Sequence, residues 1–125
     1  MSIVARVGLA VVLLAAPAGC VQPWVCSDIA IPGVGVRVVD EAGRPVAATV
    51  TLADGDYVEI LGPDDIFDDV YRGAYERPGT YEIEVIAEGY QPVSLGGVDV
   101  GDDGCHVETA SVDVVMIATT PPPQP

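Results

Sequence analysis

The sequence predicts an all-β protein, with one small β-sandwich of about seven strands after an N-terminal signal helix. The chain has 125 residues, which is enough for one domain with a single core. Beyond residue 33, apolar and polar residues alternate with a period near two, which is typical of half-buried strands. Groups of Gly, Pro and Asp interrupt this alternation about every 8–12 residues, which favours a sandwich over a helical fold.

The chain begins with a segment that has the layout of a secretory signal. Arg6 is the one charged residue in 1–19, and the apolar run that follows at 7–16 covers about 15 Å as a helix, half of a bilayer core. The run is too short to span a membrane. We therefore expect residues 1–19 to be a cleaved signal peptide, and 20–33 to be an anchor and short linker.

The predicted strands follow in order, and turn residues bound each of them. They lie at 34–39, 46–52, 57–60, 70–74, 80–87, 92–100 and 105–118. The motif Arg77-Pro78-Gly79-Thr80 has the residues that a type II turn needs. Residues 34–118 are thus the predicted domain, and the proline-rich residues 119–125 are predicted to be a disordered, extended tail.

Charge and composition exclude several classes of function. The chain has 19 acidic residues, five arginines and no lysine, with a formal net charge of −14. A nucleic-acid-binding protein needs a basic face, and so does a protein held electrostatically on an anionic membrane. The one histidine, His106, follows Cys105, and we interpret it as a strand-end residue packed beside a disulfide. We expect no enzymatic activity and no cofactor.

The residues before Cys20 resemble a bacterial lipoprotein lipobox, with the sequence LAAPAGC at 14–20. The resemblance implies that Cys20 is acylated and becomes the mature N-terminus, so that the membrane is contacted through lipid. Val21 is not the aspartate that retains many lipoproteins at the inner membrane, which favours the outer membrane of the cell envelope. The alternative is ordinary signal cleavage, which would give a soluble periplasmic binding protein.

The number of cysteines agrees with this interpretation. If Cys20 carries lipid, Cys26 and Cys105 remain as an even pair in an oxidising compartment. A disulfide between them would close a loop of about 80 residues and stabilise the fold by roughly 4–5 kcal/mol. A Cys20–Cys26 disulfide stays open as an alternative, because both residues lie near the N-terminus.

The predicted domain resembles a carboxypeptidase regulatory-like domain, one of the transthyretin-like (prealbumin-like) β-sandwiches. The matching motifs are VRVVD at 36–40, GRPV at 43–46, RPGTYEI at 77–83, AEGY at 87–90 and GCHVET at 104–109. The resemblance implies a structural module, or one that binds a protein or ligand, and not a peptidase. One histidine cannot supply the ligands of a catalytic zinc. A hydrolase with an unrecognised site is a less favoured alternative.

One loop carries an alternative function. Asp64, Asp65, Asp68 and Asp69 lie within six positions, and clustered carboxylates are the ligands that Ca²⁺ prefers. No EF-hand spacing is present, so a solvated acidic surface is the favoured interpretation. The alternative is a Ca²⁺-dependent adhesive or binding module. Exposed strand edges also suggest that an envelope protein partner adds a strand there.

Overall fold

The computed structural model describes residues 25–120, which form eight β-strands in two sheets. No helix occurs in this range, and thus none that is long and apolar enough to cross a membrane. The strands are Val34–Asp40 (β1), Thr49–Asp54 (β2), Tyr57–Ile60 (β3), Gly62–Pro63 (β4), Val70–Gly73 (β5), Gly79–Ile86 (β6), Val93–Val100 (β7) and Ala110–Met116 (β8). The predicted all-β sandwich is confirmed, whereas the signal helix, Cys20 and residues 121–125 of the predicted tail at 119–125 lie outside the described residues. The tail begins later than predicted, because the N–H and the hydroxyl of Thr119 both donate to the carbonyl of Gly89, at 2.9 and 3.1 Å.

The two sheets each contain four strands. Sheet A has the order β4-β5-β1-β8, and sheet B has the order β3-β2-β6-β7. β1 pairs in parallel with β8, and the other pairs are antiparallel. Only Leu61 separates β3 from β4, so one extended segment at 57–63 pairs first with sheet B and then with sheet A.

The core lies between the sheets and consists of alternate residues from each strand. In β1, Val34, Val36 and Val38 are fully buried, and in β6 the same alternation buries Tyr81 and Ile83. Full burial of an aliphatic side chain of this size contributes about 1.5–3 kcal/mol. No charged side chain is buried in the described part of the chain. The period-two pattern of the sequence therefore describes the interior correctly.

The second strand begins at Thr49, three residues later than predicted. Pro45 instead forms a bridge with Val39 of β1, and the N–H of Val46 donates to the carbonyl of Val38 at 3.2 Å. These contacts keep the start of the predicted strand on sheet A. The chain crosses to sheet B only after them.

The last strand is shorter than the predicted 105–118 and occupies Ala110–Met116. The carboxylates of Asp102 and Asp103 accept the N–H groups of residues 104–106 at 2.9–3.2 Å. Such side-chain hydrogen bonds compete with the pairing of a strand. Residues 104–106 consequently form a loop.

The turn before β6 also differs from the prediction. The prediction of a type II turn at 77–80 is wrong, because Gly79 belongs to β6 and does not have a positive φ. The positive φ angles occur earlier, at Ala74 (53°) and Glu76 (52°). A left-handed backbone is unusual for residues other than glycine, so the surrounding contacts must hold this turn in place.

Candidate functional site at the N-terminal segment

A disulfide joins the segment before β1 to the loop before β8. Cys26 and Cys105 are bonded, with Cα atoms 5.2 Å apart and a sequence separation of 79. The predicted pairing is confirmed, and the Cys20–Cys26 alternative is wrong. Because each cysteine is followed by a polar residue, the bridge also brings Ser27 close to His106.

Three side chains form a hydrogen-bonded chain beside the disulfide. Ser27 Oγ lies 2.9 Å from His106 Nε2, and His106 Nδ1 lies 2.6 Å from Glu76 Oε1. The side chains of His106 and Glu76 are 20% and 35% exposed, respectively. We call these three residues, together with the Cys26–Cys105 disulfide, the N-terminal clamp.

Glu76 connects the N-terminal clamp to the backbone on both sides. Its Oε1 accepts the N–H of Ile31 at 2.8 Å, its Oε2 accepts that of Val107 at 3.4 Å, and its own N–H donates to the Ile31 carbonyl at 3.0 Å. The N–H of Ile31, followed by the hydrogen bond with His106, lowers the pKa of Glu76 below its usual value. The carboxylate thus joins three separate segments of the chain.

The order serine–histidine–carboxylate is also the order that activates a serine nucleophile. Acyl transfer needs, in addition, hydrogen-bond donors directed at the oxyanion that develops. Near Ser27 the N–H groups of residues 104–106 are already engaged by the carboxylates of Asp102 and Asp103. These three N–H groups are therefore not free to stabilise an oxyanion, and what the contacts of the three side chains show directly is attachment of the N-terminal segment to the sandwich.

The acidic loop at 62–69 uses two of its four aspartates within the protein. Asp64 Oδ1 accepts the N–H groups of Ile66 and Phe67 at 2.7 and 3.0 Å, and its other oxygen pairs with Arg72. The pKa of Asp64 lies below its usual value, mainly because of the two N–H groups and to a smaller extent because of Arg72. Asp69 pairs with Arg37 Nε at 2.8 Å.

The remaining two aspartates of this loop, Asp65 and Asp68, are exposed. Within residues 25–120 no three Asp, Glu, His or Cys side chains come together as the ligands of a metal ion would. The structure therefore does not gather the predicted Ca²⁺ ligands into one site. The oxygens of Asp64 instead fix the loop to its own backbone and to Arg72, and Asp69 pairs with Arg37.

Neither a protein-family model nor a curated protein matches this chain.

Sequence reasoning identified part of the N-terminal clamp. It placed Cys26, Cys105 and His106 together. It did not name Ser27, although the predicted disulfide was a signal that this residue would lie near His106. It missed Glu76, which reaches the cluster through the positive-φ turn that begins at Ala74. No spacing or periodicity in the sequence indicates that turn.

Proposed function

We propose that this protein is a lipid-anchored protein of the cell envelope, whose β-sandwich acts as a non-catalytic binding module. The disulfide supports this proposal, because it uses Cys26 and Cys105, the pair that remains when Cys20 is acylated. The resemblance of residues 14–20 to a lipobox supports Cys20 as the lipid-modified residue, and Val21 favours the outer membrane.

The N-terminal clamp limits the distance between the folded domain and the proposed lipid on Cys20. The fold is fixed at Cys26, six steps along the chain from Cys20, which is about 20 Å when fully extended. Removal of residues 1–19 takes away Arg6 and leaves four arginines against 19 acidic residues, a formal charge of −15. An acidic domain held so close to anionic headgroups is repelled from them, so it is presented to partners rather than adsorbed.

We also propose that the sandwich is a carboxypeptidase regulatory-like domain of the transthyretin-like kind. The motif at 36–40 lies in β1, and most of the motif at 77–83 lies in β6, the two strands that supply the largest part of the core. An experimental structure superimposed on members of that group would test the assignment. A different strand order in the best superposition would contradict it.

The intact mass of the protein from the membrane fraction, measured without reduction, tests the anchor. We expect the mass of residues 20–125 plus lipid, minus the two hydrogens of the disulfide. Cys20→Ser should lose the lipid mass and move to the soluble fraction, whereas Ser27→Ala should behave as the wild type. An unlipidated wild-type mass in the soluble fraction would overturn the proposal.

A serine-directed probe tests the absence of catalysis. We expect a fluorophosphonate to leave Ser27 unmodified, because the N–H groups of residues 104–106 are engaged by the carboxylates of Asp102 and Asp103 and are not free to stabilise an oxyanion. Adduct formation that is lost in His106→Gln but kept in the neighbouring variant Thr109→Ala would contradict a non-catalytic role. Peptide mapping of the adduct would show which serine reacts.

A further inference from the structure

The outer face of sheet B contains a groove. It has a volume of about 400 Å³, and the residues that line it on the outer face are Thr51, Ala53, Glu82, Glu84, Ser94 and Gly96. Glu82 and Glu84 point outward from β6, because the alternate residues of that strand enter the core. We call this surface the sheet B groove.

A β-bulge creates the space in the sheet B groove. Tyr81 pairs with Val98 and Ile83 pairs with Leu95, so that Glu82 alone faces two residues of β7, Gly96 and Gly97. Gly97 has a φ of 70°, which a glycine adopts readily. Gly96 and Gly97 have no side chains, and in the other neighbouring strand, β2, Glu82 faces Ala53. The carboxylate of Glu82 therefore stands between small neighbours and is open to a ligand.

Exposed aliphatic residues border the sheet B groove at strand β3. Val58 pairs with Ala53 and Ile60 pairs with Thr51, which places both on the outer face in line with the two glutamates. Their exposed fractions are 64% and 68%. The face thus combines apolar surface with negative charge, which a solvated strand does not require.

The negative charge of this face is not compensated within the protein. Each of the four arginines in residues 25–120 pairs with an aspartate, namely Asp69, Asp40, Asp64 and Asp54. Glu82 and Glu84 take part in none of the ion pairs of that range. Since the chain has no lysine, residues 25–120 contain no further arginine or lysine that could neutralise these two glutamates.

The edge of β3 is less suited to a partner than the face. Glu59 faces the same side as buried Leu52, and its carboxylate accepts the hydroxyl of Tyr57 and, at 3.0 Å, the N–H of Ala74. The bond to Glu59 raises the pKa of Tyr57 to about 12. A short edge strand with an inward-facing charge is a common device against strand addition.

We propose that the sheet B groove binds an extended segment of a partner protein that carries lysine or arginine together with aliphatic residues. The cations would neutralise Glu82 and Glu84, and the aliphatic side chains would cover Val58 and Ile60. A second copy of this chain does not fit as the occupant, because it would bring glutamates against glutamates in a protein of net charge −14. This inference extends the proposed binding function, because it names the class of partner.

Binding of a fluorescent peptide to the full lipidated protein in detergent tests the inference. The probe alternates Lys and Val over six residues, and a Lys–Ser peptide of equal charge is compared with it in about 0.15 M salt. We expect Glu82→Gln/Glu84→Gln to weaken binding about three- to tenfold. Val58→Ser/Ile60→Ser should reduce the preference for Val over Ser in the peptide. The matched control is Glu41→Gln/Glu88→Gln, which removes the same charge from exposed turns and should change the affinity less than twofold.

Three outcomes would overturn the inference. These are equal weakening by both glutamine pairs, no binding of the probe below about 1 mM, and a wild-type dimer that Val58→Ser/Ile60→Ser dissociates. The first would show a general charge effect, and the last would identify a second copy as the occupant. The intact mass of the wild-type protein is independent of all three outcomes. Failure of this inference is therefore distinguishable from failure of the proposed lipid anchor.

Discussion

Replacing both disulfide cysteines, in Cys26→Ser/Cys105→Ser, should lower the free energy of unfolding by about 4–5 kcal/mol. The bond closes a loop with a sequence separation of 79. In the chain-entropy description, such a loop restricts the unfolded chain by about 15 cal/mol/K, which is about 4.5 kcal/mol at 25 °C. Domains of this kind have a total stability of about 5–15 kcal/mol, so the loss is a large part of it.

The folded state should change little in this variant. Glu76 still accepts the N–H of Ile31 and holds His106, and Thr109 Oγ1 still donates to the carbonyl of Pro32 at 2.7 Å. These contacts keep the N-terminal segment on the sandwich without the covalent bond. The destabilisation should therefore come mainly from the greater freedom of the unfolded chain.

Urea unfolding followed by circular dichroism measures this difference. Each kcal/mol corresponds to a fall in Tm of about 4–8 °C for a domain of this size, so thermal unfolding provides a second measurement. Adding a reductant to the wild type should reproduce the loss, and the same reductant should not affect the double variant. A loss of less than about 1 kcal/mol would refute the reasoning, because it would mean that the unfolded chain already holds these residues together.

Three further predictions concern a close backbone approach, acid stability and Ca²⁺. Gly33→Ala should destabilise the protein by about 1–3 kcal/mol in urea unfolding, because a Cβ at residue 33 would lie 2.5 Å from the carbonyl oxygen of Ala74. The control is Gly35→Ala, whose Cβ would meet nothing within 4 Å and which should leave the stability unchanged. Equal effects of the two substitutions would contradict the clash. Folding lowers the pKa of Asp40, Asp64, Glu76 and Asp103 below the ordinary values of 3.8 for Asp and 4.5 for Glu. These carboxylates therefore stabilise the folded protein at a pH above the ordinary values, and this stability is lost as the pH falls through the lowered pKa values. Unfolding measured from pH 6 to pH 2 should show this decline, and constant stability would count against it. Millimolar Ca²⁺ should leave Tm within about 1 °C of its value in NaCl at equal ionic strength, and a clear rise would revive the acidic loop as a Ca²⁺ site.

Local patterns of the sequence were sufficient for most strands. The alternation around Val36 defines β1, because its buried face gives a period of two. The short strand at Tyr57–Ile60 is also found as predicted, bounded by turn residues on its N-terminal side. The pairing of Cys26 with Cys105 was the favoured prediction on the condition that Cys20 carries lipid, and the structure has this pairing. These features depend on neighbours in the chain or on simple counting.

Features that depend on distant contacts were not predictable. β4 has only two residues, Gly62 and Pro63, which is too short for any periodicity, and it exists because β5 lies beside it. The parallel pairing of β1 with β8 joins the two ends of the domain, and nothing local specifies it. Glu76 likewise enters the N-terminal clamp only because the fold brings residues 31 and 107 to it.

The disulfide and the parallel strands together determine how the sandwich responds to a pull on its N-terminus. Tension on the chain ahead of Cys26 enters the domain along two covalent routes, one leading into β1 and the other through Cys105 into β8. These strands are neighbours in sheet A and run in the same direction, with seven paired positions. The force therefore loads both strands along their length in the same sense and shears β1 against β5, with which it has four paired positions. The hydrogen bonds between β1 and β5 then share the load, whereas peeling would break them one at a time.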